Sequence, residues 1–158
     1  MSQKQGWAAM QARKVGPSDL DHLCKSLSQA GLPFSDVSEP DRQFYRFEVD
    51  GEWVAYGGLE GAGSDLLLRS IVVCETHRGE GLGKAVLSEL ERYAVSQGAV
   101  RLHLLTQGAA GFFSANGYEL LGRDEAPAAI TQTVQFKHLC PASANYLRKL
   151  LNGPPCTD

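Results

Sequence analysis

The feature that most constrains this fold is a helix placed between two apolar strand-like runs, with a glycine-rich turn at its start. Asp65 to Cys74 reads as one long strand ending in Ile71-Val72-Val73. Arg78-Gly79-Glu80-Gly81-Leu82-Gly83 follows and opens a helical pattern running from Gly81 to about Gln97. Leu82, Val86, Leu90, Tyr93 and Ala94 lie on one stripe of that helix, and Gly98 ends it. Val100 to Thr106 is then a short apolar-rich strand. Strand, crossover helix and strand in this order imply a parallel pair with a right-handed connection.

The rest of the chain supplies antiparallel strands and short helices. Met10 to Val15 reads as a first strand ended by Gly16-Pro17, and a helix follows from Pro17 to about Gln29 with Leu20, Leu23 and Leu27 on one face. Phe34 to Asp41 is loop or broken helix. Phe44, Arg46 and Glu48 alternate with Tyr45, Phe47 and Val49, Asp50-Gly51 signals a hairpin turn, and Trp53 to Glu60 is the return strand. Gly61-Ala62-Gly63-Ser64 turns the chain into the long strand. Beyond the crossover, Ala109 to Asn116 is a brief helix stopped by Gly117, and Tyr118 to Leu121 is a strand. Pro127 to about Leu139 is expected to form a third substantial helix, stopped by Pro141, and Ala142 to Leu150 a last strand. No repeat or linker divides the chain, so residues 1–158 are expected to form one domain with a core of about 9–151 and flexible termini.

The glycine turn is an anion cradle in composition. Glycine lets the backbone bend sharply and approach a ligand, and the first helical turn offers amide N–H groups with no partner inside the helix. Arg78 and Lys84 add two cations, which together suits a pyrophosphate. A Walker A loop needs glycine where Arg78 stands, and a hydroxyl after the lysine where Ala85 stands. A dinucleotide fingerprint counted from Gly81 needs a small residue where Val86 stands. An ordinary glycine-rich turn before a helix is the plainest alternative. The pattern Arg/Gln-x-x-Gly-x-Gly/Ala is filled at every specified position, and in this the segment resembles the acetyl-CoA pyrophosphate loop of the GNAT N-acetyltransferase superfamily.

The resemblance covers roughly residues 9 to 151. It extends to Ala109-Ala110-Gly111-Phe112-Phe113-Ser114-Ala115-Asn116-Gly117-Tyr118, which is similar to the family's A-x-x-F-Y-x-x-x-G-F/Y ending. It implies an α/β (α+β) fold: a mixed, mostly antiparallel sheet with a central, splayed parallel strand pair flanked by helices. It also implies acetyl-CoA as co-substrate, with pantetheine bonding to the Ile71, Val72 and Val73 backbone as a missing sheet edge. The expected cofactor residues are thus Ile71, Val72, Val73, Arg78, Gly79, Glu80, Gly81, Leu82, Gly83, Lys84 and Phe113.

Leu67-Leu68-Arg69-Ser70, Gly111-Phe112-Phe113, Ala126-Pro127-Ala128-Ala129-Ile130 and Leu139-Cys140-Pro141-Ala142-Ser143-Ala144 look closest to the arsenic-resistance N-acetyltransferase-like subgroup. That implies a small amine acceptor, such as an amino-acid-like arsenical or phosphinate. A homodimer is compatible with the resemblance. Two positions depart from the family. Phe113 stands where many members have a tyrosine whose phenol protonates the leaving CoA thiolate, and Glu75 stands where many have proline. A structural ion pair is favoured over catalysis for Glu75.

Acetyl transfer needs a neutral amine beside the thioester, a donor for the oxyanion and an acid for sulfur. An α-amino group near pKa 8 is roughly a tenth neutral at pH 7, whereas a lysine-like amine is neutral about once in a few thousand. With no obvious acidic cluster, a weakly basic small amine is the expected acceptor. Glu60, at the end of its strand, is the candidate base or relay, against a merely solvated carboxylate. Arg69 interrupts an apolar strand, so its charge reaches solvent or an anion. A grip on an acceptor carboxylate, phosphinate or arsonate and a surface ion pair are both open. Ser70 and Thr106 are further candidates for catalytic polar contacts around the acceptor. Cys74 reads as a packed strand end, not as an acyl carrier, and Cys140 as core more than as a ligand for a soft trivalent arsenical.

Other classes fit poorly. A net charge of -3 gives no field for nucleic acid. No apolar run nears the roughly 20 residues that cross a bilayer, and no basic-then-apolar start suggests secretion. A cytoplasmic enzyme without membrane or nucleic-acid partners is expected. Cys24, Cys74, Cys140 and Cys156 lack metal spacing, and His22, His77, His103 and His138 are dispersed, so no metal site is expected. The rivals are a non-catalytic CoA-binding module and a protein or peptide N-acetyltransferase.

Overall fold

The computed structural model describes residues 9–139 and 143–151. The expected frayed start, Cys140, Pro141, Cys156 and the tail after Leu151 lie outside the described residues. The strands are β1 (Gln11–Lys14), β2 (Arg42–Val49), β3 (Glu52–Glu60), β4 (Asp65–Val73), β5 (Arg101–Thr106), β6 (Glu119–Leu121) and β7 (Asn145–Leu150). The helices are α1 (Leu20–Gln29), α2 (Leu82–Ser96), α3 (Ala110–Ala115) and α4 (Ala128–Thr131), with single 3-10 turns at Pro17–Asp19, Glu75–His77 and Arg123–Glu125. The strand order is β1-β2-β3-β4-β5-β7-β6, mostly antiparallel with β4 and β5 the parallel pair, as expected for the crossover.

The chain falls into two compact units, Met1–Leu59 with Ser70–Leu90, and Glu60–Arg69 with Glu91–Asp158. It passes between them inside β4, at Arg69–Ser70, and inside α2, at Leu90–Glu91.

In the first unit, Leu23 and Leu27 of α1 are buried with Phe44, Tyr56 and Val72. Asp50 and Gly51 both take positive φ, 54° and 79°, which gives the β2–β3 hairpin the twist its strands need. Gly57 on β3 is where α2 seats. A Cβ there would lie 2.5 Å from Leu90 Cδ1. Asp19 anchors the entry to α1: its carboxylate accepts from Arg13 at 2.8 Å and from the Gly16 amide at 2.9 Å. The Arg13 hydrogen bond, then the Gly16 amide, hold this carboxyl at about 2, below its usual 3.8. A depressed carboxyl stabilises the fold above the unfolded value and loses that contribution as pH falls through the folded one. Stability is therefore expected to fall between about pH 4 and pH 2, and urea titrations of Asp19→Asn should show a flatter acid limb in that window.

In the second unit, β7 pairs antiparallel with both β5 and β6. His103, fully buried on β5, lies 2.7 Å from Asp65 Oδ1 and 2.7 Å from the Tyr146 hydroxyl. Tyr118 donates to Glu91 at 2.8 Å, and Lys149 donates to the same carboxylate at 3.1 Å, tying the end of α2 to β7. The expected third long helix does not form. After the four residues of α4, a π-helical turn at Gln135–Leu139 takes over. The Thr133 hydroxyl donates to the Ile130 carbonyl at 2.8 Å and accepts from the Phe136 amide at 3.2 Å. A threonine that bonds nearby backbone competes with the helical ladder, and the flanking Ile130, Thr131 and Val134 are weak helix formers.

Candidate active site

Ser70 takes φ 63° in the middle of β4, a left-handed conformation rare for a residue with a side chain. On its N-terminal side Leu66 to Arg69 are all buried, as Ser70 itself is, and burial alternates only beyond it, at Ile71, Val72 and Val73. Such strain costs about 1–3 kcal/mol and concentrates at functional positions. Beyond it the Cys74 amide donates to the Val54 carbonyl at 2.7 Å, which fixes the end of β4 against β3.

The glycine turn has the geometry its composition called for. Gly79 and Gly81 sit at φ 84° and 82°. A Cβ at either would meet nothing within 4 Å, so backbone conformation, and not crowding within the free protein, requires glycine there. The first hydrogen bond into α2 runs from the Ala85 amide to the Gly81 carbonyl at 3.2 Å. The amides of Leu82, Gly83 and Lys84 precede it at the positive helix end. Arg78 Nε donates to the Val73 carbonyl at 3.3 Å, holding the guanidinium beside the strand end, and Lys84 is exposed. The Glu80 carboxylate, placed among the cofactor residues by the sequence, lies 3.3 Å from His77 Nδ1.

Next to this turn lies a cleft of about 900 Å³, lined by Val72, Val73, Cys74, Glu75, Thr76 and Arg78, and by residues of α1 and Trp53. Three expected cofactor residues, Val72, Val73 and Arg78, thus share one cavity. The sequence reading missed the α1 wall: His22, Lys25, Ser26 and Gln29 all face the cleft. Their spacing of three, four and seven residues from His22 marks one helix face and was available in the sequence. His22 Nδ1 lies 2.8 Å from the Tyr56 hydroxyl, and its ring packs edge-on against Trp53 at 4.7 Å. Burial, then the charges of Arg46 and Lys25, push the His22 imidazole below its usual value. The ion pair favoured for Glu75 is not present among the described residues.

In the second unit Glu60 and Arg69 meet. Arg69 donates to Glu60 at 3.0 Å, with side chains 0% and 5% exposed. The anion that Arg69 reaches is a carboxylate of its own chain. The parallel register pairs Asp65–Leu67 with Arg101–His103, while β4 runs on through Leu68 and Arg69 and β5 through Leu104 to Thr106. The Thr106 hydroxyl accepts from the Ala109 amide at 3.1 Å, shaping the turn into α3. Phe113 is buried, edge-on to Phe112 at 5.1 Å and to Tyr118 at 5.6 Å. Among the described residues no cluster of three or more His, Cys, Asp or Glu could hold a metal, and no helix is long and apolar enough to cross a membrane.

The family model described as an acetyltransferase (GNAT) domain matches residues 40–120, just over half of the chain. The chain belongs to the GNAT acetyltransferase family. This GNAT chain is also 38% identical over 55 residues to mouse N-alpha-acetyltransferase 80, a match covering 35% of the chain and 18% of that protein's length. Its fold matches N-acetylglutamate synthase from Neisseria gonorrhoeae, solved with coenzyme A and L-arginine, at a TM-score of 0.72 and 17% identity. That match covers 90% of the chain and 33% of the synthase. A GNAT-family acetyltransferase from Staphylococcus aureus matches at a TM-score of 0.70 and 16% identity, over 91% of this chain and 100% of that one. The chain therefore spans about a fifth of the mouse relative and a third of the synthase.

Proposed function

We propose that this chain is an acetyl-CoA-dependent N-acetyltransferase that moves an acetyl group onto the primary amine of a small molecule, by direct attack in a ternary complex. The observation that carries the reading is the turn Arg78–Gly83. Two glycines at positive φ deliver the chain into α2 so that three amides precede its first hydrogen bond. Oxygen anions of a diphosphate are the natural partners of such amides. Gly79 to Lys84 and Arg78 hold the diphosphate, and the Ile71–Val73 backbone holds pantetheine.

On this reading residues 1–158 act as one acetyltransferase domain, with Glu60 as the base or relay for the acceptor amine and Arg69 as the ion-pair partner that positions the Glu60 carboxylate. Ser70 and Thr106 contribute polar contacts, and Phe113 gives the cofactor a ring without a proton. Water or another group then protonates the departing thiolate. The similarity of several tracts to the arsenic-resistance subgroup supports an amino-acid-like arsenical or phosphinate as acceptor, in the cytoplasm.

Thiol release from acetyl-CoA, followed with a panel of small amines and peptides, tests the assignment. Acetylation of small amines with release of one thiol per product is expected. Saturable acetyl-CoA binding with no turnover on any amine would return the chain to a non-catalytic CoA-binding module, and turnover of peptides alone would make it a peptide acetyltransferase.

A further inference from the structure

Four polar side chains of the first unit form a hydrogen-bonded chain that ends in the cleft. Arg46 Nε donates to Glu48 at 2.6 Å, and Arg46 Nη1 donates to the Tyr56 hydroxyl at 3.1 Å. That hydroxyl lies 2.8 Å from His22 Nδ1, and His22 lines the cleft from α1. None of the four takes part in the function proposed above.

The order of donors along this chain fixes where the histidine carries its proton. Tyr56 is fully buried, and its oxygen accepts from Arg46, a side chain that can only donate. A buried hydroxyl needs an acceptor for its own proton. Among the described residues His22 Nδ1 is that acceptor. A neutral imidazole whose Nδ1 accepts carries its proton on Nε2. Burial, then the charges of Arg46 and Lys25, disfavour the imidazolium. The Trp53 ring, edge-on at 4.7 Å, packs against the imidazole and limits its rotation. His22 thus offers the cleft a neutral N–H donor and not a base.

Acetyl transfer calls for a donor at the thioester oxygen, and the function proposed above leaves that role open. The cleft borders Val72 and Val73, the strand end that carries pantetheine on that reading. We infer that His22 Nε2–H donates to the thioester carbonyl oxygen as charge builds there, with Tyr56 as the positioning residue that holds the tautomer. The inference rests on the acetyltransferase reading. When the amine nitrogen bonds to the carbonyl carbon, the C=O electron pair moves onto oxygen, and the fixed N–H stabilises it. The pair then returns to carbon and the C–S bond breaks. The nitrogen gives a proton to water, and the departing thiolate takes one from it.

Nitrogen NMR and kinetics together test this. Long-range proton–nitrogen spectra of the histidine rings report the tautomer in the free protein, with His22 assigned by its absence in His22→Gln. The His22 proton is expected on Nε2, and Tyr56→Phe should let the Nδ1–H form appear. At saturating acetyl-CoA and amine, His22→Ala should lower kcat about 100-fold, the cost of removing one oxyanion donor. Its dissociation constant for acetyl-CoA should stay unchanged. A glutamine amide places an N–H near the position of Nε2, so His22→Gln should recover about tenfold of the loss. Alanine suits a helix interior, so thermal melts of His22→Ala should match the wild type.

An Nδ1–H tautomer in the wild type, or an unchanged kcat in His22→Ala, would each overturn the donor role. So would a loss of acetyl-CoA affinity as large as the loss of kcat, which would make His22 a cofactor contact only. Binding and thiol release by the wild type separate the two failures. Turnover that survives His22→Ala sinks the donor alone, whereas a wild type that neither binds nor consumes acetyl-CoA sinks the acetyltransferase reading with it.

Discussion

Gly81→Val is expected to weaken acetyl-CoA binding about 100-fold while leaving the protein folded. Gly81 sits at φ 82°, where a β-branched residue is strained by about 1–3 kcal/mol. The chain relieves that strain by rotating the peptide, which turns the neighbouring amides away from the position of the diphosphate. Strain and lost hydrogen bonds together amount to about 3 kcal/mol, or roughly two powers of ten. Packing is not at issue, because a Cβ at Gly81 meets nothing within 4 Å and the residue is exposed. Asparagine tolerates left-handed φ, so Gly81→Asn should lose about tenfold or less. Dissociation constants with parallel thermal melts check both. Equal affinity for wild type and Gly81→Val would take the turn out of the binding site.

The second large effect concerns the Glu60–Arg69 pair. Both side chains are almost fully shielded, so removing one deprives the other, in a poorly solvated place, of an opposite charge 3.0 Å away. Arg69→Ala is expected to lower the unfolding free energy by about 3–5 kcal/mol. The double substitution Arg69→Met with Glu60→Gln leaves no charge unpaired and should recover most of that loss. Urea midpoints of the single and double variants decide the matter. Near-wild-type stability of Arg69→Ala, together with a raised acceptor KM, would mean that Arg69 serves the acceptor and not Glu60.

These two sites also show what the sequence made legible. The glycine turn could be read because each requirement of that segment is local: glycine for positive φ, basic residues beside them, and a helix immediately after. The Asp50-Gly51 hairpin and the β4–α2–β5 crossover are readable for the same reason. The Glu60–Arg69 pair is not. Counting outward from the turn Gly61–Ser64 sets Glu60 opposite Asp65, and only the break at Ser70, φ 63°, hints that β4 is irregular. Nothing in the residues around position 70 announces that break. The stretch after Pro127 misled because a helical run of apolar residues hides the Thr133 hydroxyl that interrupts it. The α1 polar stripe was visible at helical spacing, yet its facing a cleft depends on residues some fifty positions later in the chain.

Isothermal titration of acetyl-CoA into the folded wild-type chain tests the central claim most directly. A saturable one-to-one isotherm, lost or greatly weakened in Gly81→Val, is the predicted result. A flat trace from protein whose circular dichroism shows it folded would contradict the account.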